Sequence, residues 1–176
     1  KLPPAGIDVV VHETPATADP SHVATVGEIS VGAFEVDHPP VVPALGFRIE
    51  ARGASVVLSG DTKQCDALVR AARGADLLVS EAMNLKMMEQ RAAMARAAGN
   101  ERIAVMLEEA CNYHAPTHAV AEMARDAGVL RLVLSHILPP IPDDGPVVEQ
   151  YIEGMADIYK GSIAVGRDLE RITVGT

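Results

Sequence analysis

Up to about residue 60, apolar positions recur at every second place; beyond Asp61 they recur at every third or fourth. The first rhythm suits half-buried strands and the second amphipathic helices. Ile7 to His12 is a short apolar run and predicts a strand. Thr14 to Ser21 carries Pro15, Asp19 and Pro20 and predicts a loop. Val26 to Val36 reads as a strand, with Ile29, Val31 and Ala33 on alternate positions. His38-Pro39-Pro40 is expected to break the ladder, because proline lacks a donor and restricts its predecessor. Ala44 to Glu50 resumes a strand, Arg52-Gly53 turns the chain, and Ser55 to Ser59 has the apolar character of a buried strand. This part predicts antiparallel hairpins.

After Asp61 the elements alternate. Thr62 to Arg73 predicts a helix with Cys65, Leu68 and Ala72 on one face and Gly74 as its stop. Leu77 to Ser80 is an apolar strand. Helices are expected over Met83–Ala98, Glu101–Cys111 and Thr117–Ala127, the last stopped by Gly128. Leu130 to Ser135 is again a buried-type strand. A proline-rich loop spans Ile137 to Gly145, and Pro146 suits the first turn of a helix running to about Tyr159. Ser162–Val165 and Ile172–Val174 close the chain as short strands. Apolar strands alternating with helices predict a layered α/β protein.

Composition narrows the function. With 176 residues, 48% hydrophobic and 22% charged, the chain can bury a core as one domain. The core must use aliphatic side chains and methionine, since aromatics are 3% and Trp is absent. The net charge is -9, and Lys and Arg are nowhere clustered, so no nucleic-acid partner is expected. No apolar run is long enough for a membrane span, so no membrane partner is expected. No signal-peptide pattern is present, and the compartment, cytoplasmic or periplasmic, stays open. Two cysteines, Cys65 and Cys111, form no disulfide framework and no cysteine-based zinc site; both are read as buried thiols.

Six histidines stand at 12, 22, 38, 114, 118 and 136. His38, Asp61 and His136 each follow a predicted strand, at the edge where α/β proteins place their chemistry. Imidazoles beside a carboxylate suit zinc or a similar divalent ion. Taken singly, each could simply cap its strand, and no His-x-His or His-Glu-x-x-His spacing is present. His118 reads as a solvated helix residue, and His12 and His22 as surface. Asp37, Glu81 and Asp168 could support the site or serve only local hydrogen bonds. The methionines at 83, 87, 88, 94 and 106 read as core, or as a lid over an apolar pocket.

Several segments together resemble the C-terminal half of the metallo-β-lactamase superfamily, in its ribonuclease Z and arylsulfatase-like branch. They are VDHPPVVPALGFRIE (36–50), VVLSGDT (56–62), GADLLVSEAM (74–83), HAPTHAVAEMARDAGVLRLVLSH (114–136) and VGRDLERI (165–172). The resemblance implies the second half of an αβ/βα sandwich, a mixed sheet flanked by helices, with residues 1–176 forming one partial domain. It makes His38 a terminal ligand of one metal, Asp61 the carboxylate bridging two, and His136 a terminal ligand of the second. Zn²⁺, one or two per complete site, is the implied cofactor, and Asp61 counts as catalytic through the bridge. His114 matches a non-ligand histidine that protonates the leaving group; its alternative is a helix-entry histidine bonded to backbone.

The superfamily's His-x-His-x-Asp-His signature would lie upstream and is not in this sequence. The expected partner is therefore the missing N-terminal half of the same protein; a homo-oligomer is also compatible. The segments after Glu81 and His136 depart from ribonuclease Z and resemble hydrolases of small molecules, including arylsulfatase-like enzymes and a dehalogenase of aryl halides. The resulting expectation is a zinc-dependent hydrolase of a small, hydrophobic substrate (an ester, sulfate, phosphodiester or aryl halide), attacked by metal-activated water. The alternatives are a phosphodiesterase or tRNA-processing nuclease of the ribonuclease Z type, and a non-catalytic α/β interaction module.

Overall fold

A computed structural model of the chain describes residues 11, 13–15 and 17–175. The expected strand at Ile7–His12 and the His12 side chain lie outside these residues. Thirteen elements follow in chain order. They are β1 (Ser21–Val26), β2 (Ile29–His38), β3 (Val41–Ala51), β4 (Ala54–Leu58), α1 (Asp66–Ala71), β5 (Leu77–Met83), α2 (Leu85–Ala97), α3 (Glu101–Ala110), α4 (Thr117–Ala127), β6 (Arg131–Leu138), α5 (Gly145–Tyr151), α6 (Met155–Ile158) and β7 (Ser162–Val165). All seven strands form one sheet in the order β1-β2-β3-β4-β5-β6-β7. The first four pair antiparallel, and β4 through β7 pair parallel. This is the mixed α/β sheet flanked by helices that the sequence predicts.

One face of the sheet carries the core. Phe34, Val36, Val57, Leu78, Leu132 and Leu134 point from alternate strand positions into a cluster with Leu68 of α1, Val120, Met123 and Ala124 of α4, Tyr151 of α5 and Met155 of α6. The intervening positions Leu45, Phe47, Ile49, Val56, Leu58 and Val79 are apolar but only half-buried. Helices α2 and α3 pack on each other, through Met88, Ala92 and Ala104, more than on the sheet. Of the methionine series, Met83 and Met88 are core, whereas Met94 and Met106 are exposed, so the lid expectation has no support from those two.

Departures from the sequence reading have local causes. The strand expected over Val26–Val36 is divided by the turn at Gly27 and Glu28. The prolines do not end the ladder: β2 runs through His38 and Pro39-Pro40 make its turn into β3. Pro43 is tolerated because β4 begins pairing only at Phe47, leaving that stretch of β3 an open edge. The first helix starts at Asp66 rather than Thr62, because the Thr62 and Lys63 amides donate to Glu81 and to the Asp37 carbonyl. The helix expected from Pro146 to Tyr159 is two, interrupted at Gly154 with φ 79°. Ile172–Val174 is no strand; the Thr173 carbonyl accepts from Arg131. The two thiols are half-buried rather than buried, and burial pushes the Cys111 thiol up from its ordinary pKa. None of the described helices is long and apolar enough to cross a membrane.

Candidate active site

Strand ends and the segments that follow them supply the site. Each brings one polar side chain, and each placement has a backbone cause.

Asp61 follows β4 through Gly60, whose φ is 62°. A Cβ at Gly60 would stand 2.3 Å from the Leu45 carbonyl oxygen, so only glycine allows this turn against β3. His136 lies in β6 but does not obey its alternation. Glu81 pairs with Ser135 and Ala82 with Ile137, so His136 is an extra residue, a β-bulge, with φ 41°. A bulge re-aims its side chain, and a non-glycine residue at positive φ stores strain of roughly 1–3 kcal/mol. The Asp61 Oδ2 and His136 Nε2 atoms are 3.5 Å apart, both half-exposed.

His38 ends β2 at the hairpin turn. Its Nδ1 lies 2.9 Å from the Tyr113 carbonyl oxygen, so Nδ1–H donates and Nε2 carries the lone pair. His114 precedes α4 and is 7% exposed. Its Nδ1 is 2.5 Å from Glu81 Oε2, which likewise leaves Nε2 without a partner among the described residues. The three imidazoles form a row with His114 in the middle. Its ring centroid lies 5.1 Å from that of His38 and 5.5 Å from that of His136.

Glu81 is the residue that sequence reasoning left open. It is 1% exposed at the end of β5. Its Oε1 accepts from the Thr62 amide and its Oε2 faces His114. A buried carboxylate is tolerated only when its oxygens are satisfied, and here both are. Thr62 is the second residue missed. It is fully buried, and its hydroxyl bonds the Asp37 backbone while its amide holds Glu81. It thereby ties the segment before His38 to the one after Asp61.

Donor atoms of His38, Glu81 and His114 lie within 4.8 Å of one another. That trio differs from the set His38, Asp61 and His136. Because both Glu81 oxygens are already engaged, the dyad of Glu81 and His114 is built to orient an imidazole, while His38 Nε2 and the exposed Asp61 and His136 remain open to a cation. Of that set Asp61 and His136 are the two in contact, and an imidazole beside a carboxylate suits a divalent ion of the zinc type. Asp37 is exposed and pairs with Lys63 at 3.2 Å. His118 donates from Nε2 to the Glu153 carbonyl, His22 bonds Thr25, and Asp168 lies in an exposed loop.

Comparison with known proteins gives the family and the fold. A model of the beta-lactamase superfamily domain matches residues 3–137. A ribonuclease Z of Mycobacterium tuberculosis (strain ATCC 25618 / H37Rv) is 37% identical over 147 residues, covering 83% of this chain and 49% of that protein. The metallo-beta-lactamase fold protein YhfI from Bacillus subtilis superposes with a TM-score of 0.56 at 19% identity, covering 84% of this chain and 49% of that one. The short form of human tRNase Z superposes with a TM-score of 0.53 at 18% identity, covering 90% and 47%. The chain spans about half the length of the curated relatives it matches, 48–59% of those with the ribonuclease Z name. These names overturn the expectation that nucleic acid is no partner. The net charge of -9 is a sum over the whole chain and does not report the local field on which phosphate binding depends.

Proposed function

The chain belongs to the metallo-β-lactamase superfamily, and on that premise we propose that it is the C-terminal half of a metal-dependent phosphodiesterase of the ribonuclease Z type, acting on RNA. The observation that carries the reading is the buried pairing of Glu81 with His114, set between His38 and His136. His38 and His136 would hold the ions, and Asp61 would bridge them. The ions are zinc in this reading; when bound they supply an activated water and charge neutralisation at phosphate. The Tyr113 carbonyl keeps His38 Nε2 free for ligation. Glu81 fixes the His114 ring by accepting from Nδ1–H; in the doubly protonated ring, which the carboxylate would stabilise, Nε2–H would give its proton to the departing oxygen. Burial of the dyad excludes water from the Nδ1 side of His114, so that proton exchange runs through Nε2.

The small-substrate expectation gives way here, because the curated relatives at 35–37% identity carry the ribonuclease Z name. The upstream half, bearing the remaining ligands, would cover the half-buried face of Leu45, Phe47, Val56, Leu58 and Val79. The experiment is cleavage of a 3′-extended transfer RNA precursor by the full-length, zinc-loaded protein. Specific cleavage at the 3′ extension, abolished by chelation and restored by zinc, is the result expected. Turnover of small aryl esters or sulfates without RNA cleavage would overturn it.

A further inference from the structure

A cavity lies just past the end of β5, between the starts of α2 and α4. It has a volume of about 390 Å³ and is lined by Asn84, Lys86, Thr117, His118 and Glu153 among others. The first turns of two helices line it, α2 and α4. Each helix start carries about half a positive charge, although in α2 the Asn84 side chain already accepts from the Met87 amide. In α4 the residue before the first turn is Pro116, which offers no side-chain cap. Lys86 is exposed and has no ion-pair partner among the described residues.

An independent observation is Thr117. It is 7% exposed, and its hydroxyl has no hydrogen-bond partner among the described residues. Among the described residues every fully enclosed side-chain nitrogen or oxygen does have one. The Thr117 hydroxyl must therefore open onto free space, and the cavity that Thr117 lines is this one. The wall beside it is built closely. A Cβ at Gly154 would meet His118 Nε2 at 2.8 Å, and that nitrogen donates to the Glu153 carbonyl.

We propose that this cavity binds a phosphodiester of the RNA substrate flanking the bond to be cleaved, held by the Thr117 hydroxyl, the free amides of α4 and the Lys86 ammonium. The inference rests on the ribonuclease reading above. Two features select this ligand. Thr117 stands three residues after His114 and Asn84 three after Glu81, so chain length alone keeps the Cα atoms of Thr117 and His114 within about 11 Å. That is a span that neighbouring phosphates of a single strand cover. Glu89 and Glu153 also line the cavity, against Lys86 and two helix dipoles. The near balance of charge favours a monoanionic diester over a dianionic phosphate monoester.

The test uses the full-length, metal-loaded protein and the variants Thr117→Val and Lys86→Gln. Each is expected to raise KM for a short RNA about tenfold, as loss of one charge-assisted hydrogen bond does. Neither should change kcat, nor turnover of bis(p-nitrophenyl) phosphate, which has no second phosphate. Lys86→Gln should also reduce the slope of log KM against log salt by about 0.7, one phosphate contact on a single strand. An unchanged KM and salt slope in both variants, with RNA still cleaved, overturns the inference alone. If the wild type does not cleave RNA, the ribonuclease reading fails. The cavity is then judged by amide chemical shifts on titration with dimethyl phosphate and, in parallel, inorganic phosphate. Shifts at Thr117 and His118 with dimethyl phosphate support diester binding. Shifts with inorganic phosphate only, or with neither, overturn it.

Discussion

The antiparallel and the parallel parts of the sheet are built from similar residues and do different work. In β1 to β4 each strand returns directly on its neighbour, and among the candidate metal ligands and the Glu81–His114 pair this part brings only His38, at a hairpin turn. From β4 onward every strand points the same way, and the residues just past the strand ends gather on one edge. Asp61, Glu81, His114 and His136 all come from there. The parallel part also buries its polar groups in a chain of contacts, from Thr62 through Glu81 to His114. Aligned strands concentrate chemistry because their ends coincide; hairpins scatter theirs over two edges.

The strongest challenge to this division is Asp61→Ala in the full-length protein. It should lose one metal equivalent and at least about 10³-fold in turnover, beyond the 10–100-fold typical of residues that only orient ligands. Metal analysis and kinetics check it, with the circular dichroism spectrum unchanged. Next comes His114→Ala, expected to keep its metal and lose about 10²–10⁴-fold in kcat. The loss should shrink on substrates with good leaving groups, which need no proton. If His114 served only its helix, kcat on the poorer leaving group would not change.

Glu81→Gln sharpens the comparison further. The amide can still accept from Thr62, but the imidazole loses its carboxylate. A 10–100-fold fall in kcat is expected, with metal content kept and a stability loss of about 1–3 kcal/mol measured by denaturant. The smallest catalytic effect belongs to the antiparallel part. In Gly46→Ala the new Cβ would meet the Phe34 ring at 2.4 Å. That overpacking should cost about 1–3 kcal/mol of stability while kcat stays within twofold. A large loss of kcat there would erase the division of labour.

What the sequence made legible was local. Helix α4 appears with the bounds predicted, because Gly128 at φ 65° stops it and its apolar stripe is complete. The switch from hairpins to alternating strands and helices was equally plain. The candidate site was legible at His38, Asp61, His114 and His136, through residue type at strand ends and through motif order. Glu81 was legible only as a residue that could support the site or serve a local hydrogen bond, because the choice depends on distant partners. Those partners, Thr62 and His114, stand 19 and 33 residues away. The bulge at His136 was hidden for a related reason, since register is a property of two strands and not of one.

The order of strands in the sheet is the order of strands in the chain. On a ribosome, where the chain emerges from its N-terminus, each new strand finds its neighbour already made. The sheet can therefore grow along one advancing edge, with each strand pairing only with those next to it in sequence. This keeps loop-closure costs low until the long excursion through α2, α3 and α4 before β6. His136 rides on β6, so it is delivered after His38, Asp61, Glu81 and His114. Until that late strand docks, a nascent chain holds the candidate site unfinished.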